Sequence, residues 1–141
     1  MTRVLVIEDE QPLRRIITLN LVRRGHTVIE AESYRDATEA LRASAMTGER
    51  VELMLLDINL PDATGWDVLR WLRAHRREMP ARPEVTIMTA VRPAEHRLRE
   101  FGPVALLLKP FPIDALLRLV ERIPQSDEAR DTAGLEGGSD G

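Results

Sequence analysis

The chain contains no cysteine. That excludes a disulfide framework, a thiolate metal site and a cysteine nucleophile, and it agrees with a reducing compartment. Aromatic residues are scarce, at 4%, and are not interleaved with basic ones as in modules that stack nucleobases. No apolar run approaches the ~20 residues that a membrane-spanning helix needs. The first such run, residues 4–7, stops at Glu8-Asp9-Glu10, unlike a signal peptide. These absences place the expected location in the cytoplasm, with no membrane and no direct nucleic-acid partner. Lysine is nearly absent too. Nineteen of the twenty basic residues are arginine, and the one lysine, Lys109, directly follows Leu106-Leu107-Leu108. A site that needs a compact ammonium charge would not accept the planar fork of a guanidinium.

What is present is the material of one globular domain: 141 residues, 43% apolar and 30% charged. The net charge of −3 is unevenly spread. Residues 125–141 carry five acids against Arg130 alone, in a Gly/Ser-rich segment nearly free of apolar residues; residues 124–141 read as a disordered tail. Residues 70–99 carry eight arginines against three glutamates. Ordinary solvated helix surfaces account for that better than a docking face for an acidic partner.

Apolar runs alternate with amphipathic stretches. Residues 4–7, 27–31, 53–56, 85–88 and 104–108 read as strands, the second being shorter of apolar residues, as at a sheet edge. Between them Leu13, Ile16, Ile17 and Leu21 recur at helical spacing behind Pro12, with Gly25 as the stop. Ser33 and Asp36 resemble a capping box ahead of Ala37, Ala40 and Leu41. Val68, Leu69 and Leu72 follow Thr64-Gly65; a short helix is expected over 93–100; and Pro112 opens a last helix through Leu116, Leu117, Leu119 and Val120. Strands buried on both faces and alternating with five helices predict a doubly wound α/β fold with a parallel five-stranded sheet.

In such a sheet ligands bind at the carboxyl ends of the strands. The residues that follow the apolar runs are therefore the candidates: Glu8 and Asp9, Asp57, Thr89 and Lys109. Clustered carboxylates need a cation nearby to stay ionised. Oxygen donors without histidine or cysteine suit Mg²⁺. An aspartate can itself be a nucleophile and form an aspartyl-phosphate, with an ammonium and a hydroxyl to meet the phosphoryl oxygens. Asp62, Thr64 and Asp67 read as loop and helix-start residues without chemistry. His26, His75 and His96 lack metal-ligand spacing and read as surface residues. Of Trp66 and Trp71, five apart, one is expected to be packed and the other partly exposed.

Together, Val4-Leu5-Val6-Ile7-Glu8-Asp9-Glu10, Asp57-Ile58-Asn59-Leu60-Pro61 with Gly65 eight residues beyond Asp57, Met88-Thr89-Ala90 and Lys109-Pro110-Phe111 resemble a response-regulator receiver domain of two-component phosphorelay signalling. The resemblance covers about residues 2–123, so the domain is expected over 1–123. It implies a flavodoxin-like sheet of strand order 2-1-3-4-5 and a stand-alone, single-domain phosphoprotein. It further implies Asp57 as phosphoacceptor, Mg²⁺ bound by Asp9 and Asp57 directly, by Glu8 through water and by the Asn59 main-chain carbonyl. Thr89 and Lys109 would face the phosphoryl group beside a small Ala90, and the Lys109-Pro110 bond would be cis. The implied partners are a histidine kinase or phosphotransfer protein and a downstream protein. The implied chemistry is self-phosphotransfer and autodephosphorylation rather than enzymatic turnover. An enzyme on the same fold is disfavoured, because Asn59 stands where a second catalytic acid would be. Two departures set this chain apart. Leu106 occupies the position three before the lysine where receivers often have an aromatic residue, and the stretch from Thr89 to Lys109 is about two residues short. They motivate an alternative expectation, a receiver-like binding module that acts without phosphorylation.

Overall fold

The computed structural model describes residues 1–79 and 81–123; the expected disorder of 124–141 falls outside them. Five strands, β1 (Arg3–Ile7), β2 (Thr27–Ala31), β3 (Leu53–Asp57), β4 (Glu84–Thr89) and β5 (Ala105–Leu108), alternate with five helices, α1 (Gln11–Arg23), α2 (Tyr34–Thr47), α3 (Gly65–Ala74), α4 (Glu95–Glu100) and α5 (Ile113–Glu121). All strand pairs are parallel, in the order β2-β1-β3-β4-β5, as the sequence and the resemblance predict.

The pleat divides the core in two. Leu5, Ile7, Met54, Leu56, Val85 and Ile87 point to one face and pack with Ala37 and Leu41 of α2, Val68, Leu69 and Leu72 of α3, and Phe101. Val4, Val6, Leu53, Leu55 and Met88 point to the other and meet Ile17 and Leu21 of α1 and Leu116, Leu117 and Val120 of α5. Every residue of β3 is buried, which is why that run has no polar interruption. The rim residues sit differently from a simple "after the run" reading. Asp57 and Thr89 are the last residues of β3 and β4, still within the ladder, where Asp57 stands opposite Met88 and Thr89 opposite Leu108. The fourth helix is shorter than expected because Ala94 has extended geometry and caps it.

In α1 the apolar spacing overstates burial: Ile17 and Leu21 are buried, but Ile16 is 51% exposed. Both tryptophans are half-buried, contrary to the expected split. Trp66 stacks on Phe101 at 5.5 Å between centroids and Trp71 on His75 at 4.1 Å.

The start of α2 is the clearest correction. Ser33 accepts the Asp36 N–H as expected, at 3.1 Å, but a reciprocal bond from the Asp36 carboxylate is not made among the described residues. The N–H groups of Tyr34 and Arg35 are instead taken by the carboxylate of Asp62, at 2.8 and 3.0 Å. Asp62 thus ties the loop after β3 to a helix 27 and 28 residues back in the chain. What burial Asp62 has pushes its carboxyl upward, but these N–H donors outweigh it and hold the group below its ordinary value of 3.8. Asp62→Ala is expected to cost about 1 kcal/mol, as loss of a helix cap at an exposed site does. A carboxyl depressed on folding stabilises above its unfolded value and loses that contribution as pH falls through the folded one. The cost should therefore be full at pH 7 and shrink toward pH 3, read by urea denaturation at both.

Candidate functional site

Four strands end on the same edge of the sheet and carry the site. β1 delivers Glu8, with no exposed surface, and then Asp9, which is exposed. β3 delivers Asp57, 5% exposed. β5 delivers Lys109, whose N–H bonds to the Thr89 carbonyl at 2.8 Å, so that β4 and β5 hold the lysine backbone together. The Lys109-Pro110 bond is cis.

Lys109 is the centre of the arrangement. Its Nζ donates to Glu8 Oε1 at 2.8 Å and to Asp57 Oδ2 at 3.2 Å, and lies 3.9 Å from Glu10 Oε1. The second oxygen of Asp57 accepts the Asn59 N–H at 3.1 Å, and Glu8 Oε2 accepts the Glu10 N–H at 3.1 Å. One ammonium thus faces two buried carboxylates. Burial pushes the Glu8 carboxyl up to about 7; the Lys109 and Glu10 hydrogen bonds oppose this, and the neighbouring Asp57 charge adds to it. Burial alone would lower the Lys109 ammonium, but its bond to Glu8 and the Glu8 and Asp57 charges raise it above its ordinary value. The cluster is short of positive charge.

That shortage is the test of a cation. Glu8, Asp9 and Asp57 each bring a carboxylate oxygen within 4.8 Å of the others. The donors are all oxygen, the set is anionic, and the one ammonium does not neutralise it. This fits a small hard cation such as Mg²⁺. Asn59 lies in the exposed loop over the site.

The loop that follows Asp57 is closed by close backbone contacts. Asn59 and Thr64 form an antiparallel bridge, and the Gly65 N–H bonds to the Ile58 carbonyl at 2.8 Å. A Cβ on Gly65 would lie 2.6 Å from the Asp57 carbonyl oxygen and 3.1 Å from Ile58 Cα. Thr64 and Asp67 then start α3 with a full capping box. The glycine eight residues past Asp57 therefore has a steric reason.

Thr89 is at the rim but is not turned to Asp57. Its hydroxyl donates to the Val91 carbonyl at 3.2 Å and accepts the Val91 N–H at 3.3 Å. Ala90 is exposed and Val91 is 75% exposed. Leu106 is half-buried against the core on the α2–α3 face. The structure thus brings together Glu8, Asp9, Asp57 and Lys109, with Asn59 above them and Thr89 engaged locally. The apolar-run reading missed Arg14, which is buried and donates to the Glu8 carbonyl at 2.7 Å. Its only sequence signal is its place in the first turns of α1, directly behind the acidic loop.

Comparison with known proteins agrees with this geometry. The family model of the response regulator receiver domain matches residues 4–121. The transcriptional regulatory protein CusR of Escherichia coli is 34% identical over 123 residues, covering 86% of this chain and 50% of CusR. This chain therefore spans about half the length of the curated relatives it matches. Among solved structures, the non-phosphorylated HemR receiver domain of Leptospira biflexa superposes with a TM-score of 0.72 at 26% identity, over 87% of this chain and 94% of that one. TrrA of Thermotoga maritima, solved in complex with Mg²⁺ and BeF, superposes at 0.65 with 23% identity, over 87% and 99%. With an acidic rim, a lysine bridging two carboxylates and a family match that runs from β1 to the last residue of α5, the chain belongs to the response-regulator receiver domains of two-component signalling.

Proposed function

We propose that Asp57 accepts a phosphoryl group from a histidine kinase or phosphotransfer protein, and that the modified domain signals by binding another protein. The observation that carries the reading is the bridge from Lys109 to both Asp57 and Glu8. It supports the reading because a buried carboxylate that could act as nucleophile shares one rim with a compensating cation and the acidic Glu8. The Asn59 N–H holds one Asp57 oxygen. The other lies beside the ammonium, and an Asp57 oxygen would attack phosphorus as the bond to the donor breaks, giving an acyl phosphate. Asp9 and Asp57, Glu8 through water and the Asn59 carbonyl would hold Mg²⁺. That ion supplies positive charge against the phosphoryl oxygens when bound. Lys109 would exchange its Asp57 bond for one to a phosphoryl oxygen, and Thr89 would release Val91 and turn its hydroxyl inward.

The domain is a phosphoacceptor rather than a turnover enzyme, with only self-phosphotransfer and autodephosphorylation. Ile16, Leu19 and Val22 expose about half of their surface along α1, and an exposed apolar stripe of this kind suits a protein partner. Among the described residues no helix is long and apolar enough to cross a membrane; we read the domain as cytoplasmic.

Incubation with acetyl phosphate and Mg²⁺ should add one phosphate, read by intact-protein mass, and Asp57→Ala should add none. An unmodified wild-type chain, or a labelled Asp57→Ala chain, refutes the reading. Leu106 at the position of the family's frequent aromatic, together with the Val91-bound Thr89 hydroxyl, favours a second reading, a binding module indifferent to phosphorylation. It requires equal affinity for a partner with and without beryllofluoride; a large difference excludes it.

A further inference from the structure

Arg14 is 8% exposed and stands next to the site without belonging to the phosphoryl chemistry. Its guanidinium reaches three oxygens on two chain segments. Nη1 donates to the Glu8 carbonyl at 2.7 Å, Nε donates to Glu30 Oε1 at 2.8 Å, and Nη2 lies 3.6 Å from Glu32 Oε2. The Glu8 carbonyl lies one residue past the end of β1, where the ladder bonds stop. The Glu8 N–H still reaches the Ala31 carbonyl at 3.0 Å. From there the main chain leaves β2, and the carbonyl that begins the Glu8–Asp9 peptide depends on a side chain for its donor. A buried carbonyl left without a donor is costly. It would find relief by rotating the peptide plane, and that plane sets the directions in which Glu8 and Asp9 leave the backbone.

We propose that Arg14 is a positioning residue that locks the Glu8–Asp9 peptide and so sets the cation affinity of the acidic pair. The inference rests on the reading of Glu8, Asp9 and Asp57 as a Mg²⁺ site. Arginine suits the task because its rigid fork presents several donors at once, whereas a lysine at this position can serve the Glu8 carbonyl or Glu30 but not both in plane. Glu30 on the edge strand β2 and Glu32 just past its end anchor the far side of the fork, so this side chain adds a second link from β2 to the Glu8 main chain beside the Glu8 N–H bond to Ala31.

The test is Mg²⁺ titration by calorimetry of the whole chain, beside the Mg²⁺ dependence of phosphate uptake from acetyl phosphate. Arg14→Met should bind Mg²⁺ about tenfold more weakly, the usual scale for a group that orients a metal ligand. Its phosphate uptake at saturating Mg²⁺ should reach the wild-type plateau, since nothing that touches the phosphoryl group has changed. A merely structural loss would lower the plateau with the folded fraction and leave the half-saturation point in place. Arg14→Lys should fall between, about threefold weaker, because it keeps the charge and one bond. If Arg14→Met does not fold, Arg14→Lys decides. Unchanged Mg²⁺ affinity in a folded variant overturns the role of Arg14 while the site reading stands. Failure of the unsubstituted chain to bind Mg²⁺ at all overturns that reading and this inference with it.

Discussion

Lys109→Met is expected to lose about 3 kcal/mol of folding stability at pH 8, the scale for removing one partner of a buried ion pair. The loss should shrink as the pH is lowered. In the intact protein Glu8 already titrates at about 7, against its ordinary 4.5, because it is buried beside Asp57. Removing the ammonium 2.8 Å away takes out an interaction that lowers that value, so the folded state will hold the Glu8 proton to still higher pH. A carboxyl raised on folding contributes stability in full below its unfolded value, and that contribution fades as pH rises through the folded one. Because the wild-type Glu8 itself keeps its proton up to about 7, the two proteins should run roughly parallel below that pH and the loss should grow from about pH 7 to about pH 9 in Mg²⁺-free buffer. Urea midpoints across that range measure this; a loss that does not vary with pH would mean that the cost is packing rather than charge. Lys109→Arg separates charge from shape. It should keep most of the stability but impair phosphorylation-driven partner binding, since a wider cation displaces the phosphoryl oxygens from the place an ammonium gives them. Normal uptake and binding by that variant would reduce the single lysine of this chain to composition.

The rim was legible because it is written locally. An apolar run must end where a strand leaves the core, and the side chains just there were Glu8, Asp9, Asp57, Thr89 and Lys109. Parallel pairing then brings the ends together whatever the intervening sequence. What was not legible depends on partners far apart in the chain. The role of Asp62 exists only because the loop after β3 passes the start of α2. That of Arg14 exists only because β1 and β2 end side by side. The arginines of residues 70–99 likewise looked like solvated surface. They are largely that, but two also join α3 to the end of α4, Arg70 through the Glu100 carboxylate and Arg73 through the Glu100 carbonyl, while Arg82 reaches the Phe101 carbonyl from the loop before β4. Arg70 and Arg73 also lie over the Phe101 ring, at 5.5 and 4.9 Å. Periodicity finds the helices but not their outward edge, so spacing alone does not separate the exposed Ile16 from the buried Ile17 and Leu21.

Gly65→Ala is the substitution expected to damage fold and site together. The new Cβ would stand 2.6 Å from the Asp57 carbonyl oxygen and 3.2 Å from Ile58 Cδ1. The side chain of Ile58 can yield, but a backbone oxygen at the end of a fully buried strand cannot move alone. Either α3 shifts outward, at the expense of Val68, Leu69 and Leu72 in the core, or the Asp57–Ile58 peptide turns. Both belong to the overpacking class, which costs roughly 1–3 kcal/mol, and contact with backbone puts this case at the upper end. The two responses are distinguishable. A helix shift lowers the urea midpoint and leaves Mg²⁺ affinity alone. A turned peptide also moves Asp57, whose Oδ1 accepts from Asn59 and whose Oδ2 accepts from Lys109. The short bond from the Gly65 N–H to the Ile58 carbonyl, at 2.8 Å, ties the helix start to this loop, so the peptide should turn. We therefore expect weaker Mg²⁺ binding and slower phosphate uptake alongside lower stability. Gly25→Ala is the control. Nothing lies within 4 Å of its Cβ position, but its φ of +87° is left-handed. It should lose about 1 kcal/mol to backbone strain while Mg²⁺ binding and phosphate uptake per folded molecule stay as in the wild type. Equal effects of the two substitutions on Mg²⁺ binding would show that the close approach at Gly65 does not shape the site.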